Sequence, residues 1–231
     1  MAITVSRSSH QLASLIDHTV LKPESSRAEV ARYCEEARAH GFASVCVNSV
    51  HTGFVAGLLA GSGVKTCTVV GFPLGAGASN AKAAETAIAV ADGADEIDMV
   101  LDIGALREGD AKRVAADIEA VRAACPGKIL KVILETCLLD DAQKELGCRL
   151  SQQAGADFVK TSTGFSTAGA TVTDIALMRR AVGPDMGVKA SGGIRTAEIA
   201  WSMVDAGATR IGASASVAIV GGIPAQASSG Y

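Results

Sequence analysis

Two lysines stand where apolar runs give way to loops rich in Thr, Ser and Gly: Lys160 ends ADFV before TSTGFS, and Lys189 ends GV before ASGGIRT. A lysine in an apolar setting is costly to hold charged, and a second cation nearby favours the free amine further. One member of such a pair can serve as an imine-forming nucleophile. For either lysine alone, a structural ion pair explains the position equally well; two on consecutive runs tilt the reading towards chemistry. Lys131, in KILKVILET, lies early in its run and is expected deeper, paired with an interior carboxylate.

Carboxylates within similar runs are Asp17 in LIDHT, Asp98 and Asp102 in EIDMVLDIG, and Glu135 in VILET. Asp98, flanked by Ile97, Met99 and Val100, is the best acid/base candidate, able to take and return the protons of imine formation or to pair with a lysine. Asp17 is weaker, and Asp102 and Glu135 are expected to face loops. Three glycine-rich segments, STGFS, SGGIRT and GASAS, follow the last runs. The backbone amides of Gly192 and Gly193, with Gly164 and the Ser214 hydroxyl, could ring a phosphate, and Arg195 adds a charge-assisted contact. The segment GAGASN starting at Gly75 fails the dinucleotide pattern. Four histidines without HxH or HExxH spacing and six cysteines without a CxxC pair argue against a metal. The cysteines read as buried, reduced thiols, and no serine lies in a GxSxG elbow.

The elements that must position these groups are legible as a repeat. Short β-branched runs (LIDHT, SVCVN, TCTVVGF, EIDMVLDIG, ILKVILET, DFVKTS, GVKASGG, RIGAS) recur at the spacing of a β-loop-α unit, so eight units fit. Between them lie amphipathic stretches such as SRAEVARYCEEARAHG and DAKRVAADIEAVRAAC, and Gly41, Gly93, Gly155 and Gly207 stand where helices end. Alternating helices and apolar strands demand a parallel sheet with helical cover. The expected fold is α/β, a single (β/α)8 TIM barrel over residues 1–231, with a small, polar tail from about residue 221; an open doubly wound sheet is the rival. With 48% hydrophobic and 19% charged residues the bulk of the chain is not disordered, and 21 basic against 24 acidic residues leave no positive field for nucleic acid. No apolar stretch approaches the roughly 20 residues of a membrane span. No secretory signal is visible, so a cytoplasmic location is expected.

The phrases LIDHTVLKP, TVVGFPLGA, ADEIDMVLDIG, GADFVKTSTGF and VKASGGIRT resemble those of deoxyribose-phosphate aldolases, over nearly the whole chain. The resemblance implies a class I aldolase on a (β/α)8 barrel, without metal or other cofactor, that cleaves 2-deoxy-D-ribose 5-phosphate reversibly to D-glyceraldehyde 3-phosphate and acetaldehyde. By resemblance Lys160 is the Schiff-base lysine, Lys189 the second lysine that favours its free amine, and Asp98 the acidic partner in proton relay. Asp17 and Cys46 match positions lining the pocket, Cys46 being open to aldehyde modification. Tyr231 matches a C-terminal tyrosine that helps move the enamine proton in some relatives. Two departures bear on phosphate affinity: Ser214 is followed by Ala215 where a second serine is frequent, and Phe165 stands where some relatives carry lysine. The implied partners are a small sugar phosphate and acetaldehyde, with room for a homo-oligomer. Competing readings are a metal-free sugar-phosphate isomerase or epimerase, which needs no lysine pair, and a non-catalytic sugar-phosphate-binding barrel.

Overall fold

The computed structural model describes residues 8–222. Eight strands, β1 (Ile16–Val20), β2 (Ser44–Val47), β3 (Lys65–Val70), β4 (Glu96–Val100), β5 (Ile129–Ile133), β6 (Phe158–Lys160), β7 (Gly187–Ser191) and β8 (Arg210–Ala213), follow one another around a closed barrel. Every pair is parallel, and β8 closes on β1. Helices fill the intervals, so the molecule is the (β/α)8 TIM barrel expected, and all eight apolar runs are strands.

The strands read as continuous apolar runs because only alternate residues face inward. Outward residues such as Ile97 and Met99 of β4, Val132 of β5 and Val159 of β6 join the main core, which lies between barrel and helices. Inside, a small apolar cluster of Leu21, Cys46, Cys67 and Val69, with Phe72 against it, accounts for part of the filling. The remaining interior positions are mostly polar or ionised, unlike the branched aliphatic layers usual in such barrels.

Local signals set the helix ends. Ser26 accepts from the Glu29 amide to start the helix Arg27–His40, and Gly41 ends it with φ 68°. Asp110 does the same for Ala111–Ala124 by accepting from the Arg113 amide. Two short helices, Ser9–Ala13 and Ile103–Glu108, escape sequence reading, because neither is long enough to display a 3.6-residue period. Among the described residues no helix is long and apolar enough to cross a membrane. The last helix, Ser216–Gly221, ends where the expected tail begins, and the tail beyond residue 222 lies outside the described residues.

Outside the barrel wall, Lys82 and Asp117 form an ion pair at 2.7 Å, each side chain 1% exposed. Lys82 also donates to the Val100 carbonyl, and Asp117 accepts from the Asp102 amide and the Ser79 hydroxyl. Lys82→Met strands the Asp117 charge and is expected to lower unfolding free energy by about 3–5 kcal/mol, read from the urea midpoint. Replacing both partners, Lys82→Met with Asp117→Leu, should recover most of that loss; a double variant no more stable than the single would refute this account.

Candidate active site

Register brings the two lysines side by side. Lys160 ends β6 and is the Cα partner of Lys189 on β7. Lys131 on β5 is the partner of Phe158, one inward layer below Lys160. All three ammonium groups converge on Asp98 of β4. Lys160 Nζ donates to Asp98 Oδ2 at 2.8 Å and Lys189 Nζ to the same oxygen at 2.7 Å. Lys131 Nζ donates to Asp98 Oδ1 at 2.7 Å and lies 2.6 Å from Glu96 Oε2. Lys189 also donates to Asp17 Oδ2, and Arg210 binds Asp17 Oδ1 at 2.7 Å and Glu96 Oε2 at 3.0 Å. The path of Lys189 across the interior depends on Gly212, where a Cβ would meet Ser191 Oγ at 2.5 Å and Lys189 Cε at 3.1 Å.

The electrostatics follow from this packing. Burial opposes ionisation of Asp98, but Lys131, Lys160 and Lys189 outweigh it and hold the carboxyl well below its usual range. Asp17 is likewise held low against burial by Lys189, Lys131 and Arg210. For Lys189, burial works against the charge, and Asp17 and Asp98 raise it above the ordinary lysine range all the same. Lys131 is raised for the same reason, with Asp98 the chief partner. Four cationic side chains, Lys131, Lys160, Lys189 and Arg210, therefore meet three buried carboxylates, Asp17, Glu96 and Asp98. Lys160 touches one carboxylate oxygen, which Lys189 shares, whereas Lys189 bridges two acids and Lys131 reaches three, Asp98, Glu96 and Asp17.

The loops beyond β6, β7 and β8 form a cleft of about 190 Å³ lined by Gly164, Gly192, Gly193, Arg195, Ser214 and Ala215. All five residues assigned to phosphate from sequence are thus in one place. Its walls are backbone on backbone: Gly192 has φ 86°, and a Cβ there would meet Gly169 Cα at 2.9 Å. Phe165, next to Gly164 in the chain, is exposed and edge-on to Phe72 with ring centroids 5.3 Å apart. Cys46 is buried inside the wall, the strand partner of Cys67. Asp102 caps the helix Ile103–Glu108 and pairs with Arg113, so it serves the loop as expected. Glu135 does not simply face a loop: it is buried and accepts from the amide and hydroxyl of Thr163. Tyr231 lies outside the described residues.

Sequence reading passed over Glu96, Cys67 and Arg210. Glu96 and Asp98 alternate with Ile97 and Met99, and that period-two pattern was the available signal. Cys67 donates its thiol to Asp98 Oδ1 at 3.3 Å.

An amine-and-carboxylate interior beneath a glycine-walled cleft, on this barrel, defines a class: the aldolase barrels. The chain belongs to the DeoC/LacD family of aldolases, whose family model matches residues 11–223. Deoxyribose-phosphate aldolase 1 of Bacillus licheniformis is 60% identical over 217 residues, covering 94% of this chain and 97% of the relative. Deoxyribose-phosphate aldolase of Brevibacillus brevis is 59% identical over 207 residues, covering 90% and 94%. A solved Aeropyrum pernix deoxyribose phosphate aldolase, described as a tetramer, superposes with TM-score 0.85 at 37% identity, covering 93% of this chain and 91% of its own.

The depressed carboxyls fix the acid limb of stability. Asp17 and Asp98 bind protons in the unfolded chain near pH 4 and in the folded chain only at lower pH, so their contribution is complete above that value and is lost as pH falls. A thermal-melting series is expected to fall steeply below pH 4, and Asp98→Asn to flatten that fall while lowering the plateau at neutral pH. An unaltered acid slope would contradict the assignment.

Proposed function

We propose that the protein is a deoxyribose-phosphate aldolase, cleaving 2-deoxy-D-ribose 5-phosphate reversibly to D-glyceraldehyde 3-phosphate and acetaldehyde through a Schiff base on Lys160. The observation that carries this reading is the convergence of Lys160 and Lys189 on one oxygen of Asp98 at the strand tops. Imine formation needs a buried amine beside a carboxylate that can take its proton, and this pair supplies one. The position of Lys160 at a strand top, one layer above Lys131, supports its choice as nucleophile.

The chemistry then runs on this chain's own groups. Lys160 Nζ attacks C1 of the open-chain aldehyde, the carbinolamine loses water, and an iminium results. Removal of the C3 hydroxyl proton breaks the C2–C3 bond, releasing D-glyceraldehyde 3-phosphate as the bond's electron pair passes into an enamine. Protonation at C2 and hydrolysis return acetaldehyde and the free amine. Asp98, ionised and within hydrogen-bond reach of both amines, accepts and returns protons along the Lys160–Lys189 path. The glycine-walled cleft and Arg195 receive the phosphate, and Asp17 and Cys46, both buried, are carried forward as pocket-lining residues on sequence resemblance. Phe165 and Ala215 offer no side-chain donor to that phosphate. Tyr231 is carried forward as the enamine proton shuttle on sequence resemblance alone, and Tyr231→Phe should slow deuterium uptake at the acetaldehyde methyl.

Six free cysteines support a reducing, cytoplasmic setting, and the tetrameric relative supports a homo-oligomer. An isomerase or epimerase would require no trapped amine. Incubation with acetaldehyde and borohydride, followed by peptide mapping, is expected to modify Lys160; no modified peptide would sink the reading. Lys160→Arg should abolish turnover, because guanidinium stays charged and cannot form the imine. Lys189→Leu removes a fixed cation from Asp98 and Asp17, so the carboxylates hold the Lys160 proton more firmly. Its pH–rate profile should move alkaline with loss of rate at neutral pH, and an unmoved profile would free Lys189 of that role.

A further inference from the structure

Among the described residues Glu135 is the one non-glycine residue with positive φ, at φ 58° and ψ 62°. L-residues avoid this region because Cβ crowds the following carbonyl, so the surroundings must enforce it. The enforcing feature is a slip in the β5–β6 ladder. The Leu134 amide donates to the Lys160 carbonyl, and the Thr136 amide to the Thr161 carbonyl. Just beyond the ends of the two strands, two residues after β5 thus advance against one after β6, where an unbroken parallel ladder would advance two against two. Glu135 is the extra residue of this bulge, a device that re-aims a side chain.

What it aims at is the loop beyond Lys160. One carboxylate oxygen of Glu135 accepts from the Thr163 amide at 3.2 Å, the other from the Thr163 hydroxyl. That hydroxyl accepts in turn from the Phe165 amide at 3.0 Å. Gly164, a wall of the phosphate cleft with φ 87°, is therefore bracketed by two residues tied directly or through one hydroxyl to Glu135.

We infer that Glu135 is a positioning residue of the active site: its carboxylate, turned inward by the bulge, clamps Thr163 and Phe165 and so sets Gly164 against the phosphate. Burial raises the Glu135 carboxyl above its usual range, with Lys160 acting against that rise. Loss of the bonds to Thr163 would let Gly164 drift while the hydrogen bonds among Lys160, Asp98 and Lys189, which do not include Glu135, stay in place. The identity of the sugar rests on the aldolase reading; the anchoring of phosphate does not.

The test uses the whole chain, with Glu135→Gln as isosteric variant and Thr163→Val reading the same contact from the other side should the first fail to fold. Inorganic phosphate binding is measured by calorimetry, and KM is compared for 2-deoxyribose 5-phosphate and unphosphorylated 2-deoxyribose. Each variant should weaken phosphate binding about tenfold, the loss of roughly one hydrogen bond. KM should rise by the same factor for the phosphorylated sugar only, and the double variant should be no worse than Thr163→Val alone. Wild-type phosphate affinity in both variants, or an equal rise in KM for both sugars, overturns the inference. A parent protein that cleaves neither sugar overturns the aldolase reading instead, leaving the phosphate measurement to decide the role of Glu135.

Discussion

Everything inside this barrel turns on the two oxygens of Asp98. Three lysines from three neighbouring strands bind them within 2.8 Å, and all four side chains are buried. An isolated carboxylate or ammonium there would be neutralised or expelled, since removal from water costs several kcal/mol per ion even after relaxation. The arrangement survives because each charge answers another: Asp98 is shared, Glu96 and Asp17 hold Lys131, Lys189 and Arg210 from below, and Ser44 and Cys67 supply further donors. Lys160, nearest the loops, is the least coordinated of the three lysines, with Asp98 Oδ2 as its carboxylate contact.

Such an interior contributes little net stability, so the fold must be held elsewhere. The main core lies outside the strands, where Ile97, Met99, Val132 and Val159 meet the helices, and it closes the barrel without drawing on the ionised filling. Parallel register then does the positioning. Lys160 and Lys189 meet because they are strand partners, while Asp98, two strands away on β4, faces them across the interior. Gly212 on β8 is emptied of side chain so that Lys189 can pass.

The repeat of strand, helix and glycine was fully legible in the sequence, since each signal is local: period two, period 3.6, and a C-terminal glycine in helices such as Arg27–His40. Lys160, Lys189 and Asp98 were legible because ionisable residues are rare in apolar runs. Glu96 and Arg210 were less visible because they sit at strand starts, where charges are common on exposed surfaces and only closure of the barrel buries them. Glu135 was misjudged for a sharper reason. Its burial depends on a one-residue slip between β5 and β6, and a slip is a relation between two strands that neither strand's residues announce.

The charged interior also explains why the wall of β4 is anchored from outside. Lys82 grips the Val100 carbonyl at the end of that strand, and Asp117, its partner, holds the Asp102 amide two residues on. The strand is held laterally by its ladders to β3 and β5, and its outward side chains Ile97 and Met99 pack in the main core. Directional bonds at Val100 and Asp102 fix the backbone just beyond, where a small rotation would swing Asp98 away from Lys160. Two buried ionic networks, one inside the barrel and one behind it, therefore act on the same strand.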